Sequence, residues 1–213
     1  MAKPVAGRLK TQADLERAIT ALVKQDLRLR PILAATGMPA LRKREPGFAG
    51  LAQIIVGQQL STASATAIWN RMSGAFEPFH HDSIRRATAA RLGGLGLSAA
   101  KIKTLKLLAE EIRSKRIDLL ALGEKGADEA HRILTALHGV GPWTADVYLL
   151  FCLGHSDAWP AGDLALQDAI RQGFDLDSRP TARETTWLAE VWRPLRGAAA
   201  HLWWAYYRIR RTG

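Results

Sequence analysis

A chain of 213 residues with 47% hydrophobic and 23% charged residues suits one domain or two packed lobes, which excludes a wholly disordered protein. No run nears the roughly 20 apolar residues of a membrane span, and Met1–Gln12 holds no apolar signal core, so a cytoplasmic protein without membrane association is expected. The 30 Lys and Arg against 20 Asp and Glu, a net charge of +10, point to a polyanion such as nucleic acid, although many basic proteins share that balance.

Cys152 is the single cysteine. This chain alone therefore offers no intrachain disulfide, no four-cysteine zinc site and no iron–sulfur cluster with a full set of cysteine ligands. The six histidines show no catalytic ligand spacing and suit ordinary surface or core positions.

The periodicity is helical almost throughout, with no sustained two-residue alternation, so an all-α protein is expected. A first helix covers Asp14 to Asp26, with Leu15, Ala18, Ile19 and Leu22 on one stripe, and the Pro/Gly/Arg-rich stretch from Arg30 to Gly47 is a candidate lobe boundary. Phe48 to Gln58 forms the next helix, breaking near Gln59-Leu60-Ser61, where Ser61 caps a helix to Met72. Asp82 can cap a helix through Arg91, and glycines after Leu92 end it. Ser98 opens a helix with Ile102, Leu105, Ala109 and Ile112 inward, leaving Lys101, Lys103, Lys106 and Arg113 on a solvated face. Ala127 to Ala136 is a further short helix, Thr181 and Glu184 form a capping box for a helix to Val191, and Pro194 suits the first turn of a last helix through Arg208.

The most specific segment is Leu137-His138-Gly139-Val140-Gly141-Pro142-Trp143-Thr144-Ala145, between two helical segments. Its glycines permit a tight turn and close backbone approach, and Thr144-Ala145 opens the following helix. Backbone amides at a helix N-terminus, aided by the dipole, bind a phosphate oxygen without a basic side chain and without regard to base sequence. Two glycines around an apolar residue equally suit a plain helix–turn–helix corner.

This run resembles the hairpin of the helix-hairpin-helix DNA glycosylases. In that superfamily a Pro/Gly-rich loop and a catalytic aspartate follow about twenty residues on, and here Trp159-Pro160-Ala161-Gly162-Asp163 stands twenty residues after Trp143. Asp163 also reads as an ordinary N-cap, and the two roles are compatible because an N-terminal dipole favours the carboxylate. Asp146, Asp157 and Asp168 fit the position less well. One carboxylate can stabilise an oxocarbenium-like sugar, and a purine alkylated on a ring nitrogen leaves without a second carboxyl acting as acid.

Bifunctional members carry a lysine nucleophile where this chain has Trp143, so Schiff-base lyase chemistry is not expected. The resemblance is strongest to the alkylpurine branch, the DNA-3-methyladenine glycosylase II type, over Phe48 to about Tyr207. It implies two helical lobes, residues 46–155 and residues 1–45 with 156–213, and an active site in the cleft between them. It also implies a base pocket in which Trp204 holds a stacking position, with Tyr148 and Tyr206 as weaker candidates, and a hairpin contact through Gly139, Val140, Gly141, Pro142, Trp143, Thr144 and Ala145; the π face of Trp143 suits a flipped, electron-poor base, although a core tryptophan bracing the hairpin fits the position too. Gln59 or Leu60 would plug the duplex, Leu60 serving equally well as core. Most of the six tryptophans after residue 140 should be core.

Hairpin carbonyls in relatives can hold a structural monovalent cation; no other cofactor is implied. The residues before Phe48 are too few for the N-terminal sheet domain of some bacterial members. The expectation is a monomeric, DNA-associated monofunctional glycosylase acting on damaged double-stranded DNA. A non-catalytic DNA-binding module, or a glycosylase for oxidised or mismatched bases, stays open.

Overall fold

The computed structural model describes residues 7–212. Met1 to Ala6, within the stretch read as lacking a signal core, lie outside the described residues. The only pairing of strand type among the described residues is an isolated bridge between Arg8 and His155. Among the described residues no helix is long and apolar enough to cross a membrane.

The chain divides into two compact units, residues 1–43 with 149–213, and residues 44–148. Residues 149–155 thus belong with the termini and not with the central lobe, to which the sequence reading assigned them.

The unit of the termini begins with α1 (Gln12–Gln25) and α2 (Arg30–Thr36). Thr11 and Asp14 form a reciprocal capping box, so α1 starts two residues earlier than its apolar stripe suggests. Helix α2 occupies the start of the stretch read as a lobe boundary, and the division after residue 43 falls within that stretch: Pro31 sits in the first turn of α2, where a missing N–H costs nothing, and Ile32 is buried.

The 44–148 unit contains α3 (Phe48–Gly57), α4 (Thr62–Ala75), α5 (His81–Arg86), α6 (Ala89–Gly94), α7 (Ala99–Arg113), α8 (Ala127–Thr135) and most of α9 (Pro142–Phe151). Ser61 and Ser98 cap α4 and α7 as their positions suggest. The helix expected from Asp82 to Arg91 is instead two: His80 caps α5, Thr88 caps α6, and Asp82 pairs with Arg85 at 3.1 Å. Helix α7 is the packing centre, with Leu105 and Ala109 wholly buried and Ile102 and Leu108 nearly so. Two of its lysines correct the solvated-face reading. Lys101 Nζ donates to Val56 O at 2.7 Å and Gln58 O at 2.8 Å, and Lys106 Nζ to Arg85 O at 3.0 Å and Ala87 O at 2.6 Å. Both ammonium groups satisfy carbonyls at helix ends, where the dipole favours a cation.

Back in the unit of the termini, α10 (Leu164–Gly173), α11 (Ala182–Ala189) and α12 (Arg196–Thr212) complete the chain. The Thr181–Glu184 capping box forms as expected, but α11 stops at Ala189 and a 3₁₀ turn covers Glu190–Trp192. Pro194 stands before α12, not in its first turn. Trp192 and Trp203 are fully buried and Trp159 nearly so, whereas Trp187 is 70% exposed. The close fit around Trp203 includes Gly173, where a Cβ would lie 2.5 Å from the indole.

Candidate DNA interface and active site

The hairpin joins α8 to α9. Leu137 N donates to Leu134 O and Val140 N to Leu137 O, each at 3.1 Å, and Ala145 N closes on Gly141 O at 3.0 Å. Gly139 has φ +75°, and a Cβ there would lie 2.1 Å from Thr104 Oγ1 on α7, so both conformation and space demand glycine. Gly141 differs: its backbone is not left-handed, it is exposed, and a Cβ would meet nothing within 4 Å. Beside Gly141 the turn therefore leaves its backbone open on the outward side.

Val140, Thr144 and Ala145 point inward, at 4%, 2% and 0% exposure, and brace the turn. Pro142 is exposed and Trp143 half-buried at the start of α9, the end of a helix that attracts anions. On α8, His131 Nε2 lies 3.7 Å from the Asp146 carboxylate, and burial holds this imidazole below its ordinary pKa.

Helix α3 ends beside the hairpin. Gln58 Nε2 donates to Thr144 Oγ1 at 2.8 Å and to Gly139 O at 3.3 Å. The next two residues, Gln59 and Leu60, are exposed, Gln59 with φ +55° and Leu60 at 40% exposure. Leu60 is thus no core residue.

In the unit of the termini, Asp163 is the N-cap of α10. Its Oδ1 accepts from Ala165 N and Leu166 N at 3.0 Å each, and from Trp204 Nε1 at 3.1 Å. Three N–H donors thus converge on one carboxylate oxygen, two of them at a helix N-terminus, and fix its position. The preceding loop is fixed by its own carbonyls: Asp163 N donates to Pro160 O at 2.9 Å, and Ala161 O accepts from Gln167 Nε2 at 2.9 Å and Thr185 Oγ1 at 3.1 Å.

The competing aspartates are each held by neighbouring side chains. Asp157 is buried and held by Arg193 at 2.8 Å and Arg196 at 2.9 Å. Asp168 binds Arg171 and Gln172 along α10, and Asp146 is buried beside His131.

Trp204 is 8% exposed, its ring stacked on Phe151 at 5.1 Å and 29°. The Arg42 guanidinium lies 4.9 Å from the Phe151 ring centre and 6.0 Å from that of Trp204, within cation–π range. Tyr148 corrects the pocket expectation. It is wholly buried in the 44–148 unit, where its hydroxyl accepts from Gly47 N at 3.0 Å and donates to Leu119 O at 3.4 Å, leaving no ring face for a base. Tyr206 sits edge-on to Trp203 at 6.0 Å. Sequence reasoning missed Gln58, Phe151 and Arg42. Only Gln58 had a signal, as a polar residue ending an apolar helix one position before the expected plug.

Among the described residues, one group of possible metal ligands clusters within 4.8 Å, His80, His81 and Asp82. His80 Nδ1 there accepts from Asp82 N in capping α5, and the Asp82 carboxylate pairs with Arg85 along that helix, so both are already engaged.

Fold and site together define an all-helical protein that pairs a helix-hairpin-helix with a carboxylate on a helix N-terminus after a Pro/Gly loop. Residues 52–194 match the family model for the HhH-GPD superfamily base excision DNA repair protein. The chain belongs to this HhH-GPD superfamily.

It is 30% identical over 208 residues to DNA-3-methyladenine glycosylase 1 of Schizosaccharomyces pombe, covering 90% of each chain. It is 33% identical over 162 residues to a probable bifunctional transcriptional activator/DNA repair enzyme AlkA of Mycobacterium tuberculosis, covering 70% of this chain and 31% of that protein. Among solved structures, the Schizosaccharomyces pombe 3-methyladenine DNA glycosylase in complex with abasic DNA matches with a TM-score of 0.78 and 28% identity, over 88% of this chain and 95% of that one. A DNA-3-methyladenine glycosidase from Bacillus halodurans shares the fold, with a TM-score of 0.82 and 24% identity over 97% and 94% of the two chains.

Proposed function

We propose that this protein is a monofunctional DNA glycosylase of base excision repair, which flips an alkylated purine of the 3-methyladenine type from duplex DNA and hydrolyses its N-glycosidic bond. The observation that carries this reading is the Asp163 carboxylate, fixed by the α10 N-terminus and the Trp204 indole N–H, in a chain of the base excision repair superfamily. As the bond to the base lengthens, the sugar gains oxocarbenium character, and a fixed anion stabilises that charge without reorganising. The same anion can orient the attacking water. A base alkylated on a ring nitrogen is already cationic while attached, and the bonding pair it takes on leaving neutralises it, so no second carboxyl is needed to protonate it. The product is an abasic site.

Trp143 stands where a lyase member has its lysine, so no amine is available there for a Schiff base. Electron-rich indole faces favour a cationic base over an ordinary one, which supports Trp143 and Trp204 as stacking partners. The hairpin grips the phosphate backbone through amides, and diffuse attraction comes from the +10 charge. The reading takes the protein as a DNA-associated monomer.

No cofactor enters the chemistry. The carbonyls of Leu137, Gly139 and Gly141 accept hydrogen bonds from Val140 N, Gln58 Nε2 and Ala145 N, and each carbonyl oxygen has two lone pairs. Such neutral oxygens suit a structural monovalent cation.

The test is mass analysis of bases released from methylated duplex DNA, beside duplexes containing 8-oxoguanine or uracil. Release of 3-methyladenine or 7-methylguanine by wild type but not by Asp163→Asn is expected, with no adduct trapped by borohydride. Duplex binding without release of any base would make the protein a binding module, and release of 8-oxoguanine or uracil alone would overturn the substrate class.

A further inference from the structure

The turn after α3 is held from two directions. Leu60 N donates to Gly57 O at 3.3 Å, with Gln58 at φ −55°, ψ 132° and Gln59 at φ +55°. These are type II turn angles, whose left-handed position ordinarily takes glycine. A glutamine held there needs outside support.

That support comes from α7. In its first turn Lys101 binds Val56 O and Gln58 O, and one turn on Thr104 fills the space against which Gly139 packs. Residues three apart share a helix face, so one face of α7 anchors both the turn and the hairpin. Gln58 then joins the two directly through Gly139 O and Thr144 Oγ1. Its neighbours Gln59 and Leu60 are exposed and take no part in this lock.

We infer that Gln58 is a positioning residue that locks the Gln59–Leu60 turn to the phosphate-binding hairpin, with Lys101 and Thr104 as the common anchor. Phosphate capture and entry of the turn into the duplex then occur as one coupled step. The inference rests on the glycosylase reading above. It differs in making the spacing between grip and wedge a property of a hydrogen-bonded side chain.

The test compares full-length wild type, Gln58→Ala, Thr144→Val, Leu60→Ala and the Gln58→Ala/Leu60→Ala double variant. Two duplexes of one sequence are used, undamaged and with a tetrahydrofuran abasic analogue opposite 2-aminopurine, whose fluorescence reports insertion. Gln58→Ala is expected to keep its affinity for undamaged duplex within about twofold. It should lose about tenfold of the preference for the abasic duplex, the scale of one or two hydrogen bonds, together with most of the fluorescence change. Thr144→Val, nearly isosteric, should repeat the loss at smaller size if Gln58→Ala proves poorly folded. In the Leu60→Ala background Gln58→Ala should have no further effect, because a lock matters only while there is a wedge to hold. Equal weakening on both duplexes, or additive losses in the double variant, would overturn the coupling and leave Gln58 a fold residue. A wild type with no preference for the abasic duplex would overturn the glycosylase reading, and the coupling with it.

Discussion

Trp204 Nε1 donates to Asp163 Oδ1 at 3.1 Å, the same oxygen that caps α10. The Trp204 ring and the Asp163 carboxylate are therefore one unit, and a residue read as a stacking surface also fixes that carboxylate. Phe151 completes it by stacking on Trp204.

Replacing the carboxylate separates charge from capping. Asparagine caps about as well as aspartate, so Asp163→Asn should melt within about 2 °C of wild type and bind abasic duplex, while excision falls by at least about a hundredfold. Asp163→Ala should lose both, with about 1 kcal/mol of cap energy gone. Single-turnover base release and thermal melting measure the two effects. Undiminished excision by Asp163→Asn would remove the residue from the mechanism.

Trp204→Phe keeps a ring against Phe151 but removes the donor to Asp163. Excision should slow about tenfold, the scale of one lost hydrogen bond to a charged group, with base affinity little changed. Trp204→Leu should lose binding of the cationic base as well. Equal rates for wild type and Trp204→Phe would show that the indole N–H does not serve the carboxylate.

The two hairpin glycines should respond oppositely. Gly139→Ala meets Thr104 and forces a side chain into a left-handed conformation, so a loss of roughly 2–4 kcal/mol of stability is expected. Thr104→Ala should recover part of it. Gly141→Ala should fold as well as wild type yet bind duplex several-fold more weakly, since its open side faces outward. Melting curves and duplex titrations of the three variants decide the matter.

His201 on α12 carries a pH dependence. Burial pushes its pKa down to about 4 from 6.5, with the nearby Arg42 and Arg208 charges adding to the effect and hydrogen bonds to Gly197 and Arg42 carbonyls opposing it. The unfolded chain takes up the proton near 6.5 and the folded chain only near 4, so stability is complete above 6.5 and falls as pH drops towards 4. The loss should be on the order of 3 kcal/mol, or roughly 5–10 °C in melting temperature. His201→Leu should flatten that slope; an unchanged slope would assign it to other groups.

Asp157 should behave as a fold residue. Its neighbour Arg196 is 6% exposed in its side chain, so Asp157→Ala removes the two-pronged partner of a buried cation and leaves it the longer, more exposed Glu190 contact at 3.3 Å, which should cost about 3 kcal/mol. Whatever protein remains folded should excise at the normal rate. A stable but inactive Asp157→Ala would instead make it a competitor to Asp163.

Local chemistry explains which elements were legible. The Thr181–Glu184 box, the Ser61 and Ser98 caps and the apolar stripe of α1 act within four residues, so periodicity and caps reveal them. Helix α2 was hidden by its proline, which reads as a breaker until the first-turn position is known. The Asp82–Arg91 segment misled because His80 and Thr88 took the capping roles. Lys101 and Lys106 misled because their acceptors are carbonyls far along the chain.

The sequence by itself determined the helical class, the hairpin and the spacing of Asp163 from it, because glycine positions, caps and counted residues are local properties. Tertiary structure alone decided that Trp204 bonds to Asp163, that Tyr148 belongs to the core, and that Gln58 ties the turn to the hairpin. Those partners lie 41 residues apart in the first case and 81 and 86 in the last, and which side chains meet over such distances is set by packing.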